Sequence, residues 1–71
     1  MNRIEALDFY FTKQQRARSL QIRCAYEVIR DLLRVKKTMR GVRLALADLS
    51  TDPTPPTQRA IYRRALREME V

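Results

Sequence analysis

The stretch from Lys13 to Met39 most constrains what this chain can fold into, because nothing within it stops a helix. It contains no glycine and no proline, and most of its residues are strong helix formers such as Arg, Gln, Ala, Leu, Lys and Glu. Thr12 and Gln15 have the spacing of a capping box, which predicts a helix start at Thr12. On a helical wheel Leu20, Cys24, Val28, Val35 and Met39 mark one apolar edge. Ala25, Leu32, Ile29, Ile22, Leu33 and Tyr26 extend the apolar surface around the other side. Together they sweep roughly 200°, against about 100° for an ordinary surface helix. The rest of a small chain covers one side of such a helix, and a second copy is the simplest cover for the other. The sequence therefore predicts a homodimer with Cys24, Val28, Leu32, Val35 and Met39 at its interface.

The remaining arc is basic. Arg16, Arg23, Arg30 and Lys37 recur every seventh residue, with Arg34 beside them. Seven residues are nearly two helical turns, so these cations should stack in one ridge. Glu27 and Asp31 sit at helical spacing from Arg23, Arg30 and Arg34, and each such pair steadies a helix only slightly. The ridge is either a solvated face or a grip for phosphates or acidic side chains.

Length sharpens the same expectation. Seventy-one residues suit one domain, 1–71, and a chain this short is marginal when it folds alone. Cys24 is its only cysteine, so there is no disulfide framework, and the absence of histidine argues against a structural zinc site. Oligomerisation is the remaining common way to gain stability. The net charge is +7, from 15 basic and 8 acidic residues, and twelve of the basic residues are arginine. Arginine's rigid fork pairs with phosphate or carboxylate at two points, so the balance favours an anionic partner. An arginine bias also follows from a source's base composition. Cys24 lies on the apolar edge and reads as a small buried hydrophobe, which suits a reducing, cytoplasmic setting. Early charges at Arg3, Glu5 and Asp8 argue against a secretory segment, and no apolar run approaches a bilayer span.

In chain order the sequence predicts an all-α protein. Asn2 and Glu5 form another possible capping box, opening a short helix over 3–11, with Ile4, Leu7 and Phe11 at helical spacing. Of the consecutive aromatics Phe9, Tyr10 and Phe11, Phe11 is expected to pack inward and Tyr10 to face a partner or target. The long helix follows over 13–39 and ends at Gly41, the only glycine, as its C′ residue; a continuous helix through Gly41 is the alternative. A third helix spans 42–49. The linker over 50–56, Ser-Thr-Asp-Pro-Thr-Pro-Pro, stops any helix, and Thr54 caps a last helix over 55–69 with Pro55 at its first position. Ile61, Tyr62, Ala65, Leu66 and Met69 form that helix's inner face, while Arg59, Arg63 and Arg67 form a second basic ridge.

The sequence carries no catalytic motif. Without histidine there is no Ser-His or Cys-His nucleophile system, and one glycine excludes phosphate-cradling loops and dinucleotide fingerprints. No catalytic, metal or cofactor-binding residue is assigned, and the expected role is binding rather than catalysis. The leading reading is a small homodimeric regulator that blocks another protein stoichiometrically through an acidic surface, in the general manner of phage- or plasmid-type inhibitors and anti-activators. Its target-binding residues would be Tyr10, Arg16, Arg23, Arg30, Arg34, Arg59, Tyr62, Arg63 and Arg67, because interfaces favour aromatics and Arg over Lys. The alternative is a helix-turn-helix-like regulator whose C-terminal helix enters a DNA groove, led by Thr57, Gln58, Arg59, Tyr62 and Arg63. Against it, the turn is long and proline-rich, and Arg64 falls where an apolar residue belongs. Lying on a membrane is disfavoured, because the long helix lacks Trp and its apolar arc is too wide to need lipid.

Overall fold

The computed structural model describes residues 1–70, and within them the chain forms four helices and no strand. They are α1 (Arg3–Arg16), α2 (Leu20–Val35), α3 (Met39–Leu49) and α4 (Pro56–Met69). The all-α architecture and the proline-rich break before the last helix follow the sequence reading. The boundaries differ from it at three places, each for a local reason.

The first break moves from Thr12 to Ala17–Ser19. α1 begins as expected, with a reciprocal capping box: Asn2 Oδ1 accepts from the Glu5 amide at 2.8 Å, and the Asn2 amide donates to Glu5 Oε1 at 3.2 Å. Thr12 does not cap a new helix. Its hydroxyl donates to the Asp8 carbonyl at 3.2 Å, so it stays inside the preceding turn. The chain turns only where Ser19 can take over, its Oγ accepting from the Ile22 amide at 3.2 Å.

The long helix of 13–39 is therefore absent. The second break, at Lys36–Thr38, splits its far end. Thr38 Oγ1 accepts from the Gly41 amide at 3.0 Å, which places Gly41 in the first turn of α3 rather than after the end of α2. Gly41 has no positive φ, so its use here is not the left-handed cap expected of it. The third difference is one residue wide. Pro56, not Pro55, opens α4, because a residue preceding proline is driven to extended backbone, and Pro55 adopts φ −56°, ψ 141°. Thr54 consequently lies before the cap position, and α4 has no side-chain cap.

Each helix buries one narrow stripe at four- or three-residue spacing: Ala6 and Tyr10; Ala25, Ile29 and Leu33; Val42 and Leu46; Tyr62, Ala65 and Met69. α1 lies along α2, and α4 packs against both α2 and α3. α2 thus touches the other three helices and sits at the centre. Hydrogen bonds from arginine lock the joints. Arg3 donates to the Leu33 carbonyl near the end of α2, and Arg63 Nη2 donates to the Ser50 carbonyl at 3.2 Å. Ser50 itself is buried, with its hydroxyl returned to the Leu46 carbonyl at 2.6 Å.

Candidate functional site

Breaking the predicted long helix twice redistributes its cations. Arg16 belongs to α1 and Lys37 to the α2–α3 turn, so only Arg23 and Arg30 remain on α2 from the expected ridge. Arg30 is also engaged. Its Nη1 donates to Gln14 Oε1 at 3.0 Å, and its guanidinium lies 4.7 Å from the Phe11 ring centroid. It fastens α2 to α1. Arg34 is exposed and paired with Asp31 at 3.6 Å.

The ridge expected on α4 is likewise unequal. Arg59 is ion-paired to Asp52 of the linker, a carboxylate that helical spacing alone did not bring near it. Arg63 holds the Ser50 carbonyl. Arg63 and Arg67 are both exposed, and of the three only Arg67 has neither an ion pair nor a side-chain hydrogen bond among the described residues.

Two aromatic expectations reverse. Tyr10, assigned to a target, is fully buried, and its hydroxyl donates to Glu68 Oε1 at 2.9 Å. Phe11, expected inside, is 44% exposed. Because α1 runs on through Thr12, the face set by Ala6 and Tyr10 turns inward and Phe11 is carried about 100° away. Tyr62 is also buried, as its inner-face position required, so its ring is not presented to a target. Burial pushes the hydroxyl pKa of Tyr10, Tyr26 and Tyr62 upward; Glu68 adds to the effect at Tyr10, and Arg64 opposes it at Tyr26.

The expected dimer residues are mostly occupied at home. Val28, Leu32 and Met39 pack partly buried against the chain's own core, and Cys24 is half-buried. Val35 alone is strongly exposed, at 72%.

What the fold does bring together is the α1–α2 turn. Lys13, Arg16, Ala17 and Arg18 meet Ile22 and Tyr26 around an open hollow of about 380 Å³. Three cations rim it, and no carboxylate lines it. Arg23 stands next to it, its Nη2 3.5 Å from the Ala17 carbonyl. The hollow also abuts the start of α2, whose first turn contains no acidic residue to offset the partial positive charge there. Sequence reading found Arg16 and Arg23 but missed Lys13, one turn before Arg16, and Arg18, which a continuous helix carries to the opposite side from Arg16. The available signal was Ser19, a capping residue followed by an apolar period.

A second hollow, of about 410 Å³, lies on the other side of the α1–α2 pair. It is lined by Ile4, Leu7, Asp8, Phe11 and Arg30 and is largely apolar. Among the described residues, no three His, Cys, Asp or Glu side chains are grouped to hold a metal ion, and no helix is long and apolar enough to cross a membrane. Neither a protein-family model, nor a curated protein, nor a solved structure matches this chain.

Proposed function

We propose that this is a small non-catalytic regulatory protein that binds nucleic acid through its phosphates. One observation carries the reading: the cations collect at the two turns flanking α2 with almost no acidic counterpart. Lys13, Arg16, Arg18 and Arg23 stand at one end, and Arg34, Lys36, Lys37 and Arg40 at the other. Among the eight, only Arg34 makes an ion pair between described residues. α2 has 16 residues, so the clusters lie about 24 Å apart along its axis. Uncompensated cations of this density favour a polyanion, whose counterions are released on binding. The surplus apolar arc that favoured a protein partner is largely spent inside the chain, which leaves the charge as the main unsatisfied feature.

The test is titration of mixed-sequence oligonucleotides, single- and double-stranded, at low salt. Binding that weakens steeply as salt rises is expected. Its absence at low salt for both forms overturns the reading.

A protein-binding homodimer is supported by a different observation, the exposed Ile4 and Phe11 on either side of half-buried Leu7 along the second hollow, with Ile4 78% exposed. That reading predicts a sedimenting mass of two chains, reduced to one by Ile4→Asp with Phe11→Asp. A mass of one chain for the unaltered protein removes it.

A further inference from the structure

We propose that the hollow at the α1–α2 turn seats one nucleotide of a single strand, its phosphates held by Lys13, Arg16 and Arg18 and its base laid on Ile22 and Tyr26. The inference rests on the nucleic-acid reading above and adds how the strand is held.

Three observations converge. The first is composition: the hollow is lined by three cations, one aromatic ring and the aliphatic side chains of Ala17 and Ile22. A phosphate grip alone does not call for an apolar floor, and a purely apolar ligand does not call for three cations. A nucleotide unit presents both kinds of surface, an anionic edge and a flat π-face, and single-strand binders join a charged groove to an aromatic platform in this way.

The second is the support beneath the platform. The Tyr26 ring lies along Tyr10, with centroids 6.2 Å apart and planes 25° from parallel. Tyr10 in turn packs edge-to-face with Phe9, with centroids 4.9 Å apart and planes at 88°. Tyr10 is fully buried, while Tyr26 is half-buried and also lines the hollow. A base entering there would lie against a ring that Tyr10 already supports from within the core. Little side-chain freedom is lost on binding, which favours affinity.

The third is what the hollow lacks. Its lining side chains include no Ser, Thr, Asn or Gln, and Tyr26 supplies the only neutral polar group. An acidic peptide would bring a backbone N–H with each residue and find few acceptors for it. A nucleotide brings mainly acceptors on its phosphate and sugar, which suit the arginine and lysine donors. The hollow is open, and its volume of about 380 Å³ leaves room for one nucleotide unit lying across it.

The test compares three probes on the full chain at one low salt concentration: an oligothymidine strand, a strand of the same length built wholly of abasic sites, and polyglutamate. The abasic strand keeps the phosphates and removes the bases. The expected order is oligothymidine tightest, the abasic strand weaker by roughly tenfold, as loss of base–aromatic stacking implies, and polyglutamate weakest. Tyr26→Leu should bring the two strands to equal affinity, while Tyr26→Phe keeps the difference. Circular dichroism of both variants confirms that the helices are intact. Ile22→Ala, which leaves the aromatic stack untouched, should narrow the gap if Tyr26→Leu does not fold.

Arg16→Gln with Arg18→Gln should weaken both strands alike. Equal affinity of the unaltered protein for the two strands overturns the seated base while leaving the phosphate-binding reading in place. Tighter binding of polyglutamate than of either strand overturns both in favour of an acidic protein partner. Failure of both strands to bind overturns the seated base, and the duplex titration then decides the phosphate-binding reading.

Discussion

Tyr10 shows how one residue's surroundings decide its role. Its ring is buried between α1, α2 and α4, and its hydroxyl reaches Glu68 across 58 positions of sequence at 2.9 Å. The contact ties the first helix to the last. Tyr10→Phe keeps the ring and removes the hydrogen bond to a charged acceptor. Glu68 is only partly buried and can take water in exchange, so the loss should be about 1–2 kcal/mol, at the low end for bonds to charged groups. Urea unfolding at pH 7 measures it. The same residue sets a pH limit. Burial holds the Tyr10 hydroxyl protonated above its ordinary value of 10.0. The unfolded chain therefore ionises first, and stability present below pH 10 should fall as pH rises beyond it. In Tyr10→Phe that alkaline fall should be shallower. An equal slope in both proteins would assign it to Tyr26 and Tyr62 instead, whose pKa values burial also raises.

At the scale of the element, the decisive interactions are N-caps. Ser19 and Thr38 each accept from the amide three residues ahead and so cut what looked like one helix into α2 flanked by two turns. Ser19→Ala should destabilise the fold by about 1 kcal/mol, the usual cost of losing such a cap, read as a lower urea midpoint at unchanged slope. Gly41 should respond oppositely. It is helical, and a β-carbon there would meet Thr38 Oγ1 at 3.4 Å and Lys36 Cβ at 3.7 Å, which is ordinary contact. Gly41→Ala should therefore raise stability by roughly 0.4–1 kcal/mol through reduced freedom of the unfolded chain. A loss would mean that Thr38 must shift to admit the new atom.

These caps also explain what could be read in advance. The capping box at Asn2, the proline break and the inner face of α4 were legible because each rests on residues close in sequence. The joints at Ala17 and Lys36 were not, because neither glycine nor proline marks them. A serine or threonine in a helical run caps only when tertiary packing rewards the turn. The candidate site inherited that error: Lys13 and Arg16 are neighbours on α1, but Arg18 joins them only around a turn.

At the scale of the whole molecule, a radius of gyration of 11.0 Å matches the about 11 Å expected of a folded chain this long. That compactness concentrates a net charge of +7 in a body of 27 × 26 × 21 Å. At 0.01 M salt the screening length is about 30 Å, longer than the protein, so every cation feels every other; at 0.15 M it is about 8 Å, and only neighbours interact. Attraction offers little relief, since the described residues form two ion pairs, one of them largely exposed. Self-repulsion should thus dominate the electrostatics of folding at low salt. Raising sodium chloride from 0.01 to 0.15 M should increase the melting temperature. Sodium sulfate at equal ionic strength should raise it further, because a divalent anion can occupy the rim formed by Lys13, Arg16 and Arg18 and binds only the folded state in that geometry. In Arg16→Gln with Arg18→Gln the two effects separate: the chloride response should shrink with the removed charge, and the excess given by sulfate should disappear. A melting temperature that falls with added chloride would show that attractive pairs outweigh the net charge. A sulfate excess that survives the double substitution would place the anion's grip elsewhere, with the cluster of Lys36, Lys37 and Arg40 the next to alter.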